Sequence, residues 1–297
     1  MTTTELALFE NEEPPSLDRS NFVLSFTFLP KEERKAINSI YAFCSYLDNI
    51  VDNIPSFTPN IIEQKLKRLA LWESVIEDIY SNKIPSPLLL PLYLVVNRFK
   101  IPKQYFLTLI DGVKKDLFKT RYATFEDLKD YCYSVASVVG LISIEIFGYK
   151  YEATKNYAIN LGYALQLTNI LRDIKQDKDR GYIYIPKEDL EAYNLTEEDI
   201  INEVYDDRFI EMMRFQVGRV RQFYHKARTS LHPDEKMTVI SAEVMDGIYF
   251  RLLEKIELND FNIYKKRIKV STIHKIMIAL KNWLSVKMFV KRLRKKK

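Results

Sequence analysis

Residues 166–186 read QLTNILRDIKQDKDRGYIYIP, and the first dozen positions carry the spacing of a helix. At 100° per residue Gln166, Asn169, Asp173 and Asp177 fall at roughly 0°, −60°, −20° and +20°, so four oxygen-bearing side chains share one stripe. Leu165, Leu167, Ile170, Leu171 and Ile174 flank the stripe with apolar side chains, as in a helix buried on several sides. Carboxylates at i and i+4 repel, and burial adds a desolvation cost, so the stripe calls for a cation.

A second acidic pair lies upstream in YAFCSYLDNIVDN, residues 41–53. Asp48 and Asp52 are again four apart, and Tyr41, seven residues before Asp48, lies on the same stripe. One Asp-x-x-x-Asp is common on solvated helix faces; a second, joined to Asn169, Arg172 and a following RGYIYIP, makes the pattern far more specific. Two such pairs facing each other would hold a diphosphate through bridging Mg²⁺, an ion that keeps several waters and takes one or two carboxylates plus substrate phosphates. Neutralising such a leaving group lets an allylic C–O bond ionise.

The rest of the chain agrees with a helical setting. Apolar periodicity predicts helices over roughly 31–53, 59–81, 86–99, 102–119, 124–148, 152–178, 198–230, 236–258 and 271–293. Pro30, Pro55, Pro59, Pro85, Pro102, Pro186 and Pro233 punctuate these runs. Only YIYI at 182–185 hints at a strand. Seven glycines among 297 residues leave little material for hairpins or Gly-rich phosphate loops, and neither GxGxxG nor GxxxxGK[ST] occurs. The expected architecture is all-α: a flexible lead-in over 1–20, then one domain over 21–297. Gly112, Gly140, Gly162 and Gly247 fall inside helical runs, where close helix packing, or helices leaning around a cavity, explains them.

Other classes are excluded or reduced. Cys44 and Cys132 are too few for a disulfide framework. The polar, acidic start has no signal-peptide pattern, so a cytoplasmic location is expected. The best apolar run, Leu88 to Val96, is short and contains Pro91, so no spanning helix is expected. Residues 261–297 hold 13 Lys and Arg and no acid, which against a whole-chain charge of +5 leaves residues 1–260 at −8. The final run, with Ile273, Ile276, Leu280, Trp283, Leu284 and Phe289 among lysines, suits peripheral contact with an anionic membrane as well as a packed helix with a solvated tail. An acidic body without aromatics interleaved in the basic run argues against nucleic acid.

The chain resembles the squalene/phytoene synthase family, the head-to-head prenyl diphosphate synthases. The resemblance rests on NF at 21–22, LPKEERKAINSIYAFC–LDNIVD at 29–52, YCYSVASVVG at 131–140, QLTNILRDIKQDKDRGYIYIP at 166–186, and GIYFRLLEKI followed by a basic stretch. It implies the isoprenoid synthase fold, helices around a central cavity with two Asp-rich motifs at its mouth. It implies Mg²⁺ held by Asp48, Asp52, Asn169, Asp173 and Asp177. Tyr41, Tyr133 and Tyr184 match tyrosines near the reacting carbons. Asn21, Phe22, Gln166, Arg172 and Tyr249 match substrate-binding positions, and residues 178–186 a segment that covers the site.

The implied reaction joins two prenyl diphosphates into a cyclopropylcarbinyl diphosphate, which rearranges toward a C30 or C40 hydrocarbon. A hydride quench would draw on NADPH, for which the residues carry no signature. Two departures stand out: Ser45 where the family usually has Arg, and Asn49 where Asp is common. Asn21 stands where some members have Ser. The leading expectation is condensation of farnesyl diphosphate to presqualene diphosphate or a squalene-type product. The alternatives are phytoene synthesis from geranylgeranyl diphosphate, and a catalytically silent family-fold protein for lipid binding or assembly, against which the four intact aspartates argue.

Overall fold

The structure is a computed structural model that describes residues 21–52, 58–83 and 86–294, with the side chains of 21–23, 52 and 289–294 left aside. The expected lead-in, and the side chains of Asn21, Phe22, Asp52 and Phe289, therefore lie outside the described residues. In chain order the helices are α1 (Asn21–Phe26), α2 (Lys31–Asp52), α3 (Pro59–Tyr80), α4 (Leu90–Phe99), α5 (Lys103–Lys115), α6 (Phe125–Cys132), α7 (Val138–Phe147), α8 (Ala153–Asp179), α9 (Lys187–Ala192), α10 (Glu197–Ile201), α11 (Asp207–Ser230), α12 (Ile240–Glu257) and α13 (Thr272–Arg294). Among the described residues no strand forms. The YIYI segment contributes one isolated parallel bridge, Ile183 to Arg121.

Two departures from the expected helices have local causes. The run expected over 198–230 is two helices. Thr196 and Asp199 form a capping box that starts α10, Glu203 turns into the left-handed region at φ 56°, and Asp206 caps α11 by accepting from Phe209 N at 3.1 Å. The run expected over 124–148 is continuous, but residues Tyr133–Ser137 form a π-turn between α6 and α7. That extra residue per turn shifts which side chains share a face, so straight 3.6-residue counting across YCYSVASVVG misassigns them.

The 23 residues Phe125–Phe147 are long and apolar enough to cross a membrane by length and composition, which corrects the expectation that no such helix exists. Half of its most apolar window is buried inside the protein. An apolar helix of this kind serves as a central core element. Val138, Ile142 and Ile146 join α2–α5 in one core, while Leu141 and Ile144 join α6, α8, α11 and α12 in the other.

The interior glycines set how closely these helices meet. A Cβ on Gly162 would stand 2.4 Å from Ser137 Cα, and one on Gly112 would stand 2.6 Å from Ser134 Cβ, so α8 and α5 both press on the π-turn. Gly140 meets the Ala158 carbonyl oxygen at 2.8 Å by the same measure. The close-packing explanation is the one the structure bears out, and Gly140 and Gly162 also line the cavity described below.

Gly162→Ala is expected to destabilise the protein by about 1–3 kcal/mol, because backbone rather than a flexible side chain must yield. Gly218→Ala, on α11 with nothing within 4 Å of the added Cβ, is expected to be neutral or to raise the melting temperature. Thermal unfolding of the two variants beside the parent checks the contrast.

Candidate active site

A cavity of about 600 Å³ lies between the two cores, an ordinary volume for a small-molecule site. The relative directions of three of its walls can be read from their contacts. Ser137 meets Gly162 and Ala158 meets Gly140, so α6–α7 and α8 are antiparallel, which sets Tyr131 beside the Asn169 end of α8 and Phe147 beside its start. Tyr157 at the start of α8 bonds Glu243 near the start of α12, while Arg172 and Tyr249 lie close enough to interact electrostatically at the other end. One end of the cavity thus gathers Tyr131, Asn169, Arg172, Tyr249 and Arg267, together with Asp116, and the other is lined by Ser143, Ile144, Phe147, Tyr157, Ser241 and Ala242. Asp48 lines it from α2 and is exposed.

Of the residues expected from sequence, Tyr41, Asp48, Gln166, Asn169, Arg172 and Tyr249 line this cavity. Ser45 lines it too, so the family's arginine is missing from the cavity wall itself. Asp173 sits one layer behind: Arg172 Nε reaches its Oδ1 at 2.8 Å, and Arg267 reaches Oδ1 and Oδ2 at 2.8 and 3.0 Å. Burial works to raise the Asp173 carboxyl, and hydrogen bonds and charge from the two arginines outweigh it, so its pKa falls below the usual carboxylate value. Asp177 lacks that compensation. Burial, and then the Asp173 charge, push it up to about 7.

Asp177 faces a void of about 10 Å³ shared with Tyr182, Tyr184 and Ile185 rather than the main cavity. The segment after α8 is fastened there: Ile183 N donates to Thr120 O at 3.0 Å, Lys187 N to Tyr122 O at 2.9 Å and Glu188 N to Ala123 O at 3.1 Å. Arg121 Nη1 adds a bond of 2.7 Å to the Gly181 carbonyl. The expected covering segment is therefore riveted to residues 120–123.

Three contributors went unread in the sequence. Asp116, just past α5, accepts from Tyr131 at 2.9 Å and from Tyr184 at 3.2 Å, and its carbonyl accepts from Tyr182 at 2.7 Å. Tyr122, Tyr131, Tyr182 and Tyr184 pack together beside it with centroids 5.5–5.8 Å apart. Tyr131 lines the cavity, whereas the expected Tyr133 does not and packs between the two cores. Tyr184 buttresses Tyr131 from behind. The tyrosine was legible in YCYSVASVVG, but only the fold shows which one faces in. The third contributor is the start of the basic stretch. Arg267 reaches the cavity, and Lys275 is lowered by burial and by the nearby charges of Arg172 and Lys269. Cations left close to one another in this way mark a place for an anion.

The residues fit a divalent cation beside that anion. Asn169 Oδ1 is buried without a hydrogen-bond partner at the cavity wall, one turn before Asp173. Among the described residues no three His, Cys, Asp or Glu side chains converge to hold a metal alone. Magnesium completed by water and substrate phosphate needs no such cluster.

The squalene/phytoene synthase family model matches residues 18–274. A phytoene synthase of Arthrospira platensis is 36% identical over 272 residues, covering 86% of this chain and 85% of that protein. A 15-cis-phytoene synthase of Synechocystis is 34% identical over 278 residues, covering 89% and 80%. Among solved structures, a squalene synthase of Alicyclobacillus acidocaldarius superposes with a TM-score of 0.74 at 25% identity, covering 82% of this chain and 90% of that one. A dehydrosqualene synthase in complex with ligand superposes at 0.75 and 22% identity, covering 97% and 95%, which speaks for the fold.

The raised Asp177 gives a test that does not depend on turnover. An acid whose folded pKa lies above its unfolded value near 4 binds its proton more tightly when folded, so its contribution to stability is lost as pH rises from about 4 through about 7. In metal-free protein at pH 8, Asp177→Asn is expected to raise the melting temperature. The same variant is expected to lose most of the stabilisation that Mg²⁺ gives the parent. Melting curves with and without Mg²⁺ at pH 6 and 8 check both signs.

Proposed function

The chain belongs to the squalene/phytoene synthase family, and from that premise we propose that it condenses two molecules of geranylgeranyl diphosphate head to head into a C40 product of the phytoene type. The prenyltransferase chemistry belongs to the family; the chain length is our reading. The relatives at 34 and 36% identity named as phytoene synthases carry it, and they favour the C20 substrate over the farnesyl substrate expected first from sequence. Cavity length supports it. Tyr157 and Arg172 bound the lining of α8 fifteen residues apart, roughly 22 Å of helix axis. From standard bond lengths, an extended geranylgeranyl chain reaches about 19 Å and a farnesyl chain about 14 Å.

In this reading Arg172, Arg267 and Lys275 receive diphosphate, and Asn169, Asp173 and Asp177, with Asp48 and Asp52 of the first motif, hold Mg²⁺. Bound Mg²⁺ would neutralise the departing diphosphate. Arg267 then exchanges part of its pairing with Asp173 for the substrate. Tyr41, Tyr131 and Tyr249 present ring faces and hydroxyls near the polar end, where a cationic carbon gains about 2 kcal/mol or more from an aromatic face in a dry site. Asp116 and Tyr184 fix the Tyr131 hydroxyl, so the ring stays aligned while charge develops. The fastened 182–185 segment keeps water out, and a phytoene-type product ends by proton loss, which calls for no NADPH.

The same reading places the enzyme against the cytoplasmic face of an anionic membrane through α13. Ile273, Ile276, Met277, Leu280, Leu284 and Met288 are exposed within a stripe of about 120°, and Ala279 and Val286 are buried on the opposite face. The lysines beside that stripe would each add about 1 kcal/mol at such a surface.

Two assays test these statements. With Mg²⁺ and no reductant, geranylgeranyl diphosphate is expected to give a C40 hydrocarbon at a higher kcat/KM than farnesyl diphosphate gives any C30 product, and Arg267→Ala is expected to raise KM for either by at least about tenfold, as loss of a charged hydrogen bond implies. A preference for C15, or a C30 product formed only with NADPH, would overturn the C20 reading. For the membrane, Leu280→Glu combined with Leu284→Glu is expected to lower co-sedimentation with anionic vesicles by at least about tenfold, with turnover in detergent retained. Equal sedimentation of parent and variant would refute it.

A further inference from the structure

The far end of the cavity is closed in an unusual way for an apolar pocket. Tyr157 is fully buried and lines the cavity at the second turn of α8, and its hydroxyl donates to Glu243 Oε1 at 3.0 Å. Glu243 is itself fixed from two more sides. Asn282 of α13 donates to its backbone carbonyl at 2.8 Å, and Lys236 stands 4.0 Å from its other carboxylate oxygen. One turn along α12, Asp246 is buried and paired with Arg228 at 2.9 and 2.5 Å. Behind the tyrosine ring there is therefore a charged, hydrogen-bonded layer instead of further hydrocarbon.

Two consequences follow from elementary physics. A tyrosine packed freely against aliphatic side chains can turn about its first side-chain torsion when a ligand presses on it. One whose hydroxyl is held by an anchored carboxyl must break that hydrogen bond to move, and would leave a buried polar pair unsatisfied. A prenyl chain pushing past the ring would also bring hydrocarbon against the largely buried Glu243 carboxyl and the buried Asp246, at a desolvation cost. Both effects resist a longer chain and leave a chain that stops short of the ring untouched.

We propose that Tyr157 is the terminal wall that sets the longest prenyl chain the cavity accepts, and that Glu243 is the positioning residue that keeps the wall in place. This inference rests on the C20 reading above and deepens it: the wall admits a geranylgeranyl chain and rejects one isoprenoid unit more. Tyr157 touches the chain terminus, more than four helical turns from Arg172 along α8, and no part of the diphosphate chemistry reaches it.

The test offers the full-length protein, with Mg²⁺, equimolar mixtures of C15 and C20 and of C20 and C25 diphosphates, and reads the ratio of kcat/KM within each pair. Tyr157→Ala, or Tyr157→Leu should the alanine variant fold poorly, is expected to raise the C25 to C20 ratio by at least about tenfold, the scale on which an apolar pocket discriminates by size. Tyr157→Phe keeps the ring and loses the anchor, and is expected to shift the ratio in the same direction by less. Glu243→Gln is expected to stay within about twofold of the parent, because the amide oxygen still accepts the hydroxyl, whereas Glu243→Ala should match Tyr157→Phe. A structural role alone would lower the melting temperature without moving the ratio, so both are recorded. A folded Tyr157→Ala or Tyr157→Leu with an unchanged C25 to C20 ratio overturns the proposal. A parent enzyme that prefers C15 refutes the C20 reading instead, and the wall is then judged on whether the Tyr157 variants raise the C20 to C15 ratio.

Discussion

Two carboxylates one helical turn apart on a buried face of α8 cannot both be charged there without help, and much of the molecule is arranged around that difficulty. Arg172 on the same helix and Arg267 from the stretch after α12 stabilise Asp173 as an anion. Asp177, without comparable partners, is left with a pKa near neutrality. A divalent cation would remove the conflict for both and would also satisfy Asn169 Oδ1. The site is thus strained electrostatically until its ligands arrive, which concentrates binding energy where a leaving diphosphate must be held.

Packing makes the space in which that charge matters. Gly162 and Gly112 let α8 and α5 close on the π-turn; just before it Tyr131 lines the cavity, and its first residue, Tyr133, packs between the cores. Asp116 then ties Tyr131 to Tyr184 and Tyr182, and hence to the segment fastened on residues 120–123. The acidic end of α8, the aromatic wall and the covering segment form one connected unit, so a fault in helix packing reaches the chemistry through only two or three contacts. The apolar end depends on a different network, Tyr157 with Glu243, and is linked to α13 through Asn282.

Much of this was legible in the chain. The polar stripe of Gln166, Asn169, Asp173 and Asp177 announces itself through strict helical spacing inside apolar residues, and Asp48 with Tyr41 does the same on α2. Residues that act across helices were harder. Asp116 stands alone in sequence, with no periodic partner, and gains meaning only when three tyrosines from two other segments converge on it. Arg267 and Lys275 belong to a basic run whose bulk charge suggested a membrane, and only the fold bends its beginning back to the cavity. Tyr133 comes from the family resemblance, and only the fold shows that its neighbour Tyr131 is the one lining the cavity. The break at 202–206 was written in local signals, the Thr196 box and the Asp206 cap, which the longer apolar rhythm concealed.

The central claim is that the carboxylate end of α8 and the guanidinium groups beside it form one cation and diphosphate site at the polar end of the cavity. The most direct measurement is a crystal structure with Mn²⁺ in place of Mg²⁺ and a prenyl thiodiphosphate that cannot ionise readily. The account predicts anomalous manganese peaks within coordination distance of Asn169 Oδ1 and the Asp173 or Asp177 carboxylate. It also predicts thiodiphosphate against Arg172 and Arg267, and a prenyl chain running toward Tyr157. Manganese bound elsewhere, or a thiodiphosphate seated away from these arginines while Asp173 keeps both of its ion pairs, would contradict it.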